Sequence, residues 1–233
     1  MPNDNDDPAL VPSVLTRGMA ALESSTAVDR VSAPLSRLAT RVGSGTKGAV
    51  MRGNWLGHAL HPLMTDFPLG CWLSAGLLDL SGSASVRPAA RRLVGLGVAF
   101  AVPTALTGIA DYSVVDDPKA KRVGAVHWLG NSGVLMLYAL SWRARRRGHH
   151  WRGVALAMAG GTGAWATGYL GGHLSFARQV GTGQRGMDLD RQYLDGQHPA
   201  DADVASEEAA LIASGATAVM VDGRTGLAGP NSL

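Results

Sequence analysis

A single cysteine, Cys71, occurs in 233 residues. One thiol forms no disulfide framework, no CxxC zinc site and no ligand set for an iron–sulfur cluster, so all three are excluded from this chain. Charge is scarce as well. Asp, Glu, Lys and Arg make up 17% of the residues against 46% hydrophobic ones, where ordinary soluble domains carry about 25% charged residues. A purely soluble reading therefore fits poorly. Neither HExxH nor CxxCH is present, which removes a local zinc-protease motif and covalent haem attachment. The net charge is +3 and the pI near 9.3. The basic residues nevertheless cluster between apolar runs, where they read as membrane flanks, and no nucleic-acid partner is expected.

What is abundant is apolar sequence and glycine, of which there are 31. The chain is organised around residues 53–80, GNWLGHALHPLMTDFPLGCWLSAGLLDL, where a histidine-bearing approach becomes an apolar run of about 20 residues, the length of a membrane helix. Three further runs follow, giving helices expected at 61–80, 93–110, 125–142 and 154–173. The linkers between them are SGSASVRPAARR, DYSVVDDPKAKR and RARRRGHHWR. The fold class expected is all-α, an integral membrane four-helix antiparallel bundle over 53–180 in a multi-pass plasma-membrane protein. Trp55, Trp72, Trp128, Trp142 and Trp151 lie mostly near run ends, at the level of aromatic belts.

Residues 1–52 form an N-terminal tail. Its first twelve residues are acidic, without a signal-peptide pattern, so the first membrane helix is expected to direct insertion. Val28, Val31, Leu35, Leu38 and Val42 recur at helical spacing, which suggests an amphipathic helix interrupted or kinked at Pro34 and resting either on headgroups or on the rest of the protein. Residues 181–233 read as a polar C-terminal tail, flexible apart from a short helix in SEEAALIASGA. Small residues recur every fourth position at Gly160, Ala164, Gly168 and Gly172, and at Gly97, Ala101 and Ala105, which predicts close helix contacts and a loosened bundle on bulky substitution of Gly168. Counts of Lys and Arg on the two sides nearly balance and leave the orientation open.

Antiparallel passages bring His61, Asp111, His127 and His173 to one leaflet, with Asp66 below His61 and Asn131 and Thr107 each one turn from a member of the set. Imidazoles from facing helices, with carboxylates to take the other ring proton, are the parts from which bundles build haem or metal sites. Two of His61, His127 and His173 are expected as axial ligands of a b-type haem. Alternatively, all three with Asp66 or Asp111 hold one transition-metal ion, with His58, Asn131 and Thr107 behind them. The bland alternative is that the histidines fix helix ends in a membrane anchor. A third is proton handling or transport through Asp66 and Asp111.

The strings GNWLGHALHPLMTDFPLGCW, LTGIADY, VGAVHWLGN and YLGGHLSFARQVG, in that order, closely resemble the bacterial membrane-protein family named domain of unknown function 2231, over roughly residues 50 to 182. The resemblance implies a four-helix membrane domain. Relatives are often continuous with a Rieske iron–sulfur domain, which implies an electron-transfer setting. Here the segment after Val180 has no cysteine and one histidine, so a redox partner is expected to be a separate chain. Besides lipid, a second copy of the chain is the other partner considered.

Overall fold

In the computed structural model, residues 13–181 are described, and all their regular structure is helical. The acidic stretch 1–12 and the expected polar tail with its short helix at 182–233 lie outside the described residues.

Helix α1 (Val14–Ser24) starts at Ser13, whose hydroxyl accepts from the Thr16 amide. Helices α2 (Asp29–Gly43) and α3 (Gly45–Met51) follow. The long helices are α4 (Leu60–Leu80), α5 (Arg87–Tyr112), α6 (Pro118–Arg146) and α7 (His150–Gly172). The amphipathic pattern around Pro34 forms a single helix, α2. Its Ala39 is fully buried in a small cluster with Tyr112 and Ala125, so this helix rests on the ends of α5 and α6.

Three linkers are shorter than the sequence pattern suggests, because polar residues in them begin or end helices. Asp117 caps α6 by accepting from the Lys119 and Ala120 amides, with Pro118 in the first turn, where its missing N–H costs nothing. Arg87 through Arg92 form the first turns of α5, and Arg143, Arg145 and Arg146 occupy the last turn of α6, where cations suit the helix dipole.

The register fixes the directions. His61 near the start of α4 meets Thr104 near the end of α5, while Trp72 lies on Gly97, so these two helices are antiparallel. His127 meets Thr167 and Tyr138 lies on Gly160, which makes α6 and α7 antiparallel in the same way. Between the pairs, Trp72 stacks on Tyr138 at 3.9 Å with planes 4° apart, and Asp79 meets Arg145 at 2.5 Å. Helices α4 and α6 therefore run parallel.

These contacts expose an internal repeat that the sequence analysis missed. His61, Trp72, Ala75 and Asp79 of α4 recur as His127, Tyr138, Ser141 and Arg145 of α6, 66 positions on. Gly97, Ala101, Thr104 and Gly108 of α5 correspond at a second fixed interval to Gly160, Ala164, Thr167 and Gly171 of α7. The facing positions of α4 and α6 alternate in steps of four and three, which keeps them on one face of each helix. An approximate twofold axis thus runs between α4 and α6, and the two chemically distinct pairs on it, Asp79 with Arg145 and Trp72 with Tyr138, set which half faces which.

Close helix contact depends on glycine, but not at every position expected. A Cβ on Gly97 or Gly160 would meet the Trp72 or Tyr138 ring, the latter at 3.0 Å, whereas one on Gly168 meets nothing within 4 Å. Ala105 is exposed. Gly168 is thus on an outer face, while Gly97 and Gly160 lie against aromatic rings and Ala101 and Ala164 pack in or on the core. Gly97→Leu should lower the melting temperature in detergent by several degrees while Gly168→Leu leaves it unchanged; equal effects would contradict this assignment.

Two helical stretches, 84–112 and 118–146, are long and apolar enough to cross a membrane. Helices α4 and α7 contain 21 and 23 residues, but aspartates in the first and glycines in the second dilute their hydropathy. Large apolar side chains cover the outer faces, with Leu73, Leu77, Met136, Met158 and Trp165 all exposed.

Candidate functional site

His61 projects from the first turn of α4 towards α5, where its Nδ1 lies 2.9 Å from the Thr104 carbonyl and 3.3 Å from the Thr107 hydroxyl. Local chemistry prepares this place. Pro68 offers no N–H to the Met64 carbonyl one turn back, and the Thr104 hydroxyl lies 2.9 Å from that oxygen, tying α5 to the gap. The Thr107 hydroxyl donates to the Thr104 carbonyl at 2.7 Å. Gly108 leaves room for the imidazole, since a Cβ there would sit 2.8 Å from His61 Cε1.

His127 repeats the arrangement on α6. Its Nδ1 lies 2.9 Å from the Thr167 carbonyl, and a Cβ on Gly171 would sit 2.9 Å from its Cε1. The two rings stand edge to face, with centroids 6.4 Å apart and planes at 89°. A carbonyl only accepts, so each Nδ1 carries its proton and each neutral ring keeps its lone pair on Nε2, the tautomer a metal-ligating histidine needs. The halves differ in that Leu170 stands at the position equivalent to Thr107 and in what meets the His127 Nε2. The Asn131 amide donates to His127 Nε2 at 3.1 Å, and the Thr167 hydroxyl at 3.0 Å from the Asn131 oxygen fixes which way that amide points.

The other expected ligands are placed elsewhere. His173, at the start of a π-helical turn (His173–Ala177), gives its Nε2 to the Glu23 carboxylate of α1 at 2.6 Å. Asp66 is exposed, five residues beyond His61 and on another face of α4. Asp111 is half-buried near the end of α5. His58 is exposed, with its Nδ1 3.1 Å from the adjacent Ala59 carbonyl. Among the described residues no three His, Cys, Asp or Glu side chains are grouped to hold a metal ion. The expected set of three histidines with carboxylates thus reduces to the pair His61 and His127, backed by Thr107 and Asn131. Helix ends at one level bring residues near one another, but each side chain follows its own helical face. His173 faces the N-terminal helix and not the bundle axis.

Glu23 had no motif to announce it. It is 8% exposed and receives Arg178 through both carboxylate oxygens in addition to His173. Nearby, Arg122 grips Asp29 with two bonds of 2.8 Å and the Glu23 carbonyl at 2.7 Å, so the N-terminal helices are held to this end of the bundle by charge. The Arg178 hydrogen bonds hold the Glu23 carboxyl below its ordinary 4.5, against an opposing effect of burial, with His173 adding to the lowering. A depressed carboxylate contributes stability above its unfolded value and loses it as pH falls through the folded one. Proteolytic release of α1 should therefore rise steeply on acidification from pH 7 to below 4 and should depend less on pH over that range in Glu23→Gln, where the Arg122–Asp29 pair still titrates; a wild-type profile without that rise would contradict the latch.

Residues 57–184, more than half of the chain, match the family model described as predicted membrane protein, DUF2231. The chain belongs to this family. Both histidines, their glycines and their carbonyl partners fall inside the matched region. No curated protein and no solved structure matches. Membership in DUF2231 accords with the two apolar spans and leaves the chemistry to be argued from the residues.

Proposed function

We propose that this DUF2231 protein is a multi-pass plasma-membrane protein in which α4 to α7 all cross the bilayer as an antiparallel four-helix bundle, and that His61 and His127 ligate a transition metal, carried first of all in a b-type haem. Apolar side chains on the outer faces of α4 and α7 support four spans over two, and 21 residues of helix cover about 30 Å, the thickness of the hydrocarbon core.

The observation that carries the metal reading is the pair of imidazoles 6.4 Å apart, each with its Nδ1 proton given to a carbonyl. Two imidazoles bound across one metal at about 2 Å each place their centroids roughly 6 Å apart, the separation found here, and the ring that now presents its face would have to turn so that its Nε2 also points between the two. Ligand number decides between metals. A structural zinc takes four protein ligands, whereas haem iron takes only two axial side chains. The donor set fits haem, or else an ion content with two imidazoles. His61 and His127 would hold the iron, Gly108 and Gly171 would keep the rings in place, and the Asn131 amide would turn away from His127 Nε2. Bound haem supplies one-electron chemistry, and the protein would then act as an electron-transfer subunit for a separate redox chain.

A second reading draws on the same two histidine–carbonyl bonds, which by themselves pin α4 to α5 and α6 to α7 as in a non-catalytic anchor. An absorption spectrum and metal analysis of protein purified in detergent after growth with haem precursor and trace metals separates the readings. A Soret band is expected. Stoichiometric metal without that band would replace haem by a lone ion, and colourless, metal-free protein would leave the anchor.

A further inference from the structure

The end of the bundle opposite the histidines is rich in arginine. Three arginines lie in the first turns of α5 (Arg87, Arg91, Arg92), four at the end of α6 (Arg143 and 145–147) and Arg152 in the first turn of α7. Among the described residues the acidic side chain at this end is Asp79 in the last turn of α4, and its carboxylate is taken by Arg145 through bonds of 2.8 and 2.5 Å. Seven guanidinium groups are left without a carboxylate of their own segments. At the histidine end, by contrast, Asp29, Glu23 and Asp117 face Arg122 and Arg178.

Three further observations point the same way. Arg87 Nε is buried without a hydrogen-bond partner, a donor that lacks its acceptor. Helix α7 begins here without a side-chain cap and without an acidic residue in the first turn, so its first N–H groups add positive potential. Arg146 lies over the Trp142 ring at 4.8 Å and Arg87 over Trp151 at 5.6 Å, holding guanidinium groups at the level tryptophan occupies in a membrane.

We infer that this arginine end binds the phosphate headgroups of anionic phospholipids, with Arg87 and Arg146 held against tryptophan and Arg92 and Arg152 reaching outward. The inference rests on the spanning reading above, because only a bundle that crosses the bilayer places this end among headgroups. Basic residues at an anionic surface each contribute roughly 1 kcal/mol, and basic clusters beside helix ends are the usual form of such sites.

The test places the full chain in nanodiscs of phosphatidylcholine or of phosphatidylglycerol and measures melting. Phosphatidylglycerol should raise the melting temperature by roughly 5 °C over phosphatidylcholine. The double variant Arg92→Gln/Arg152→Gln, with both changes on exposed side chains, should lose most of that gain while melting like wild type in phosphatidylcholine. Equal melting of wild type in the two lipids would overturn the lipid site alone. So would the same gain from inorganic phosphate added to phosphatidylcholine discs, or a double variant that keeps the full phosphatidylglycerol gain. Failure of wild type to enter phosphatidylcholine discs would overturn the spanning reading and the lipid site with it.

Discussion

Asp79→Ala should destabilise the protein by about 3–5 kcal/mol, the cost of leaving a buried charge without its partner. Arg145 is 5% exposed and is held by Asp79 on one side and by Ser141, at 3.2 Å, on its own helix. Removing the carboxylate strands the guanidinium between α4 and α6, where neither water nor another acid of these segments can replace it. Arg145→Met alone should cost a comparable amount, because it strands the equally buried Asp79 carboxylate, and Asp79→Leu/Arg145→Met together should recover most of the loss. Chemical unfolding in detergent measures all four proteins. If Asp79→Ala melts like wild type, the pair is not the lock between the two halves.

The second large effect is expected at the glycines behind the imidazoles. A Cβ on Gly171 would lie 2.9 Å from His127 Cε1 and one on Gly108 2.8 Å from His61 Cε1, distances that side-chain carbons do not tolerate. Gly108→Val or Gly171→Val therefore has to turn its histidine off the carbonyl it now meets, losing the bond that fixes the tautomer. Cofactor content should fall at least tenfold in either variant, whereas Gly133→Val, at a position where a Cβ meets nothing, should keep the wild-type content. Full occupancy in Gly171→Val would show that the ring position is irrelevant to binding.

Much of this arrangement was legible before the structure. Apolar runs placed the long helices because side chains on their outer faces, such as Leu73 and Met136, are as apolar as those within. His61 and His127 were recognisable because each lies at the start of an apolar run, although α6 itself begins at Pro118, well before His127. The third histidine misled, since its position along the helix was right and its direction was not. His173 faces Glu23, 150 positions earlier, and no local pattern encodes so distant a partner.

Arg145 misled for a related reason. Within RARRR it looks like one more solvated cation, yet it alone falls on the face that carries Tyr138 and Ser141 towards α4. Spacing from His127 was the available signal. The same interval separates His61 from Asp79, and comparison of the two helices residue by residue reveals the repeat that apolar content hides.

The central claim, that two equivalent histidines on parallel helices make one site from which His173 is absent, is tested most directly by counting haem or metal per chain in single-histidine variants. His61→Ala and His127→Ala should each lose the bound group, and His173→Ala should retain one per chain. Retention in His61→Ala together with loss in His173→Ala would contradict it.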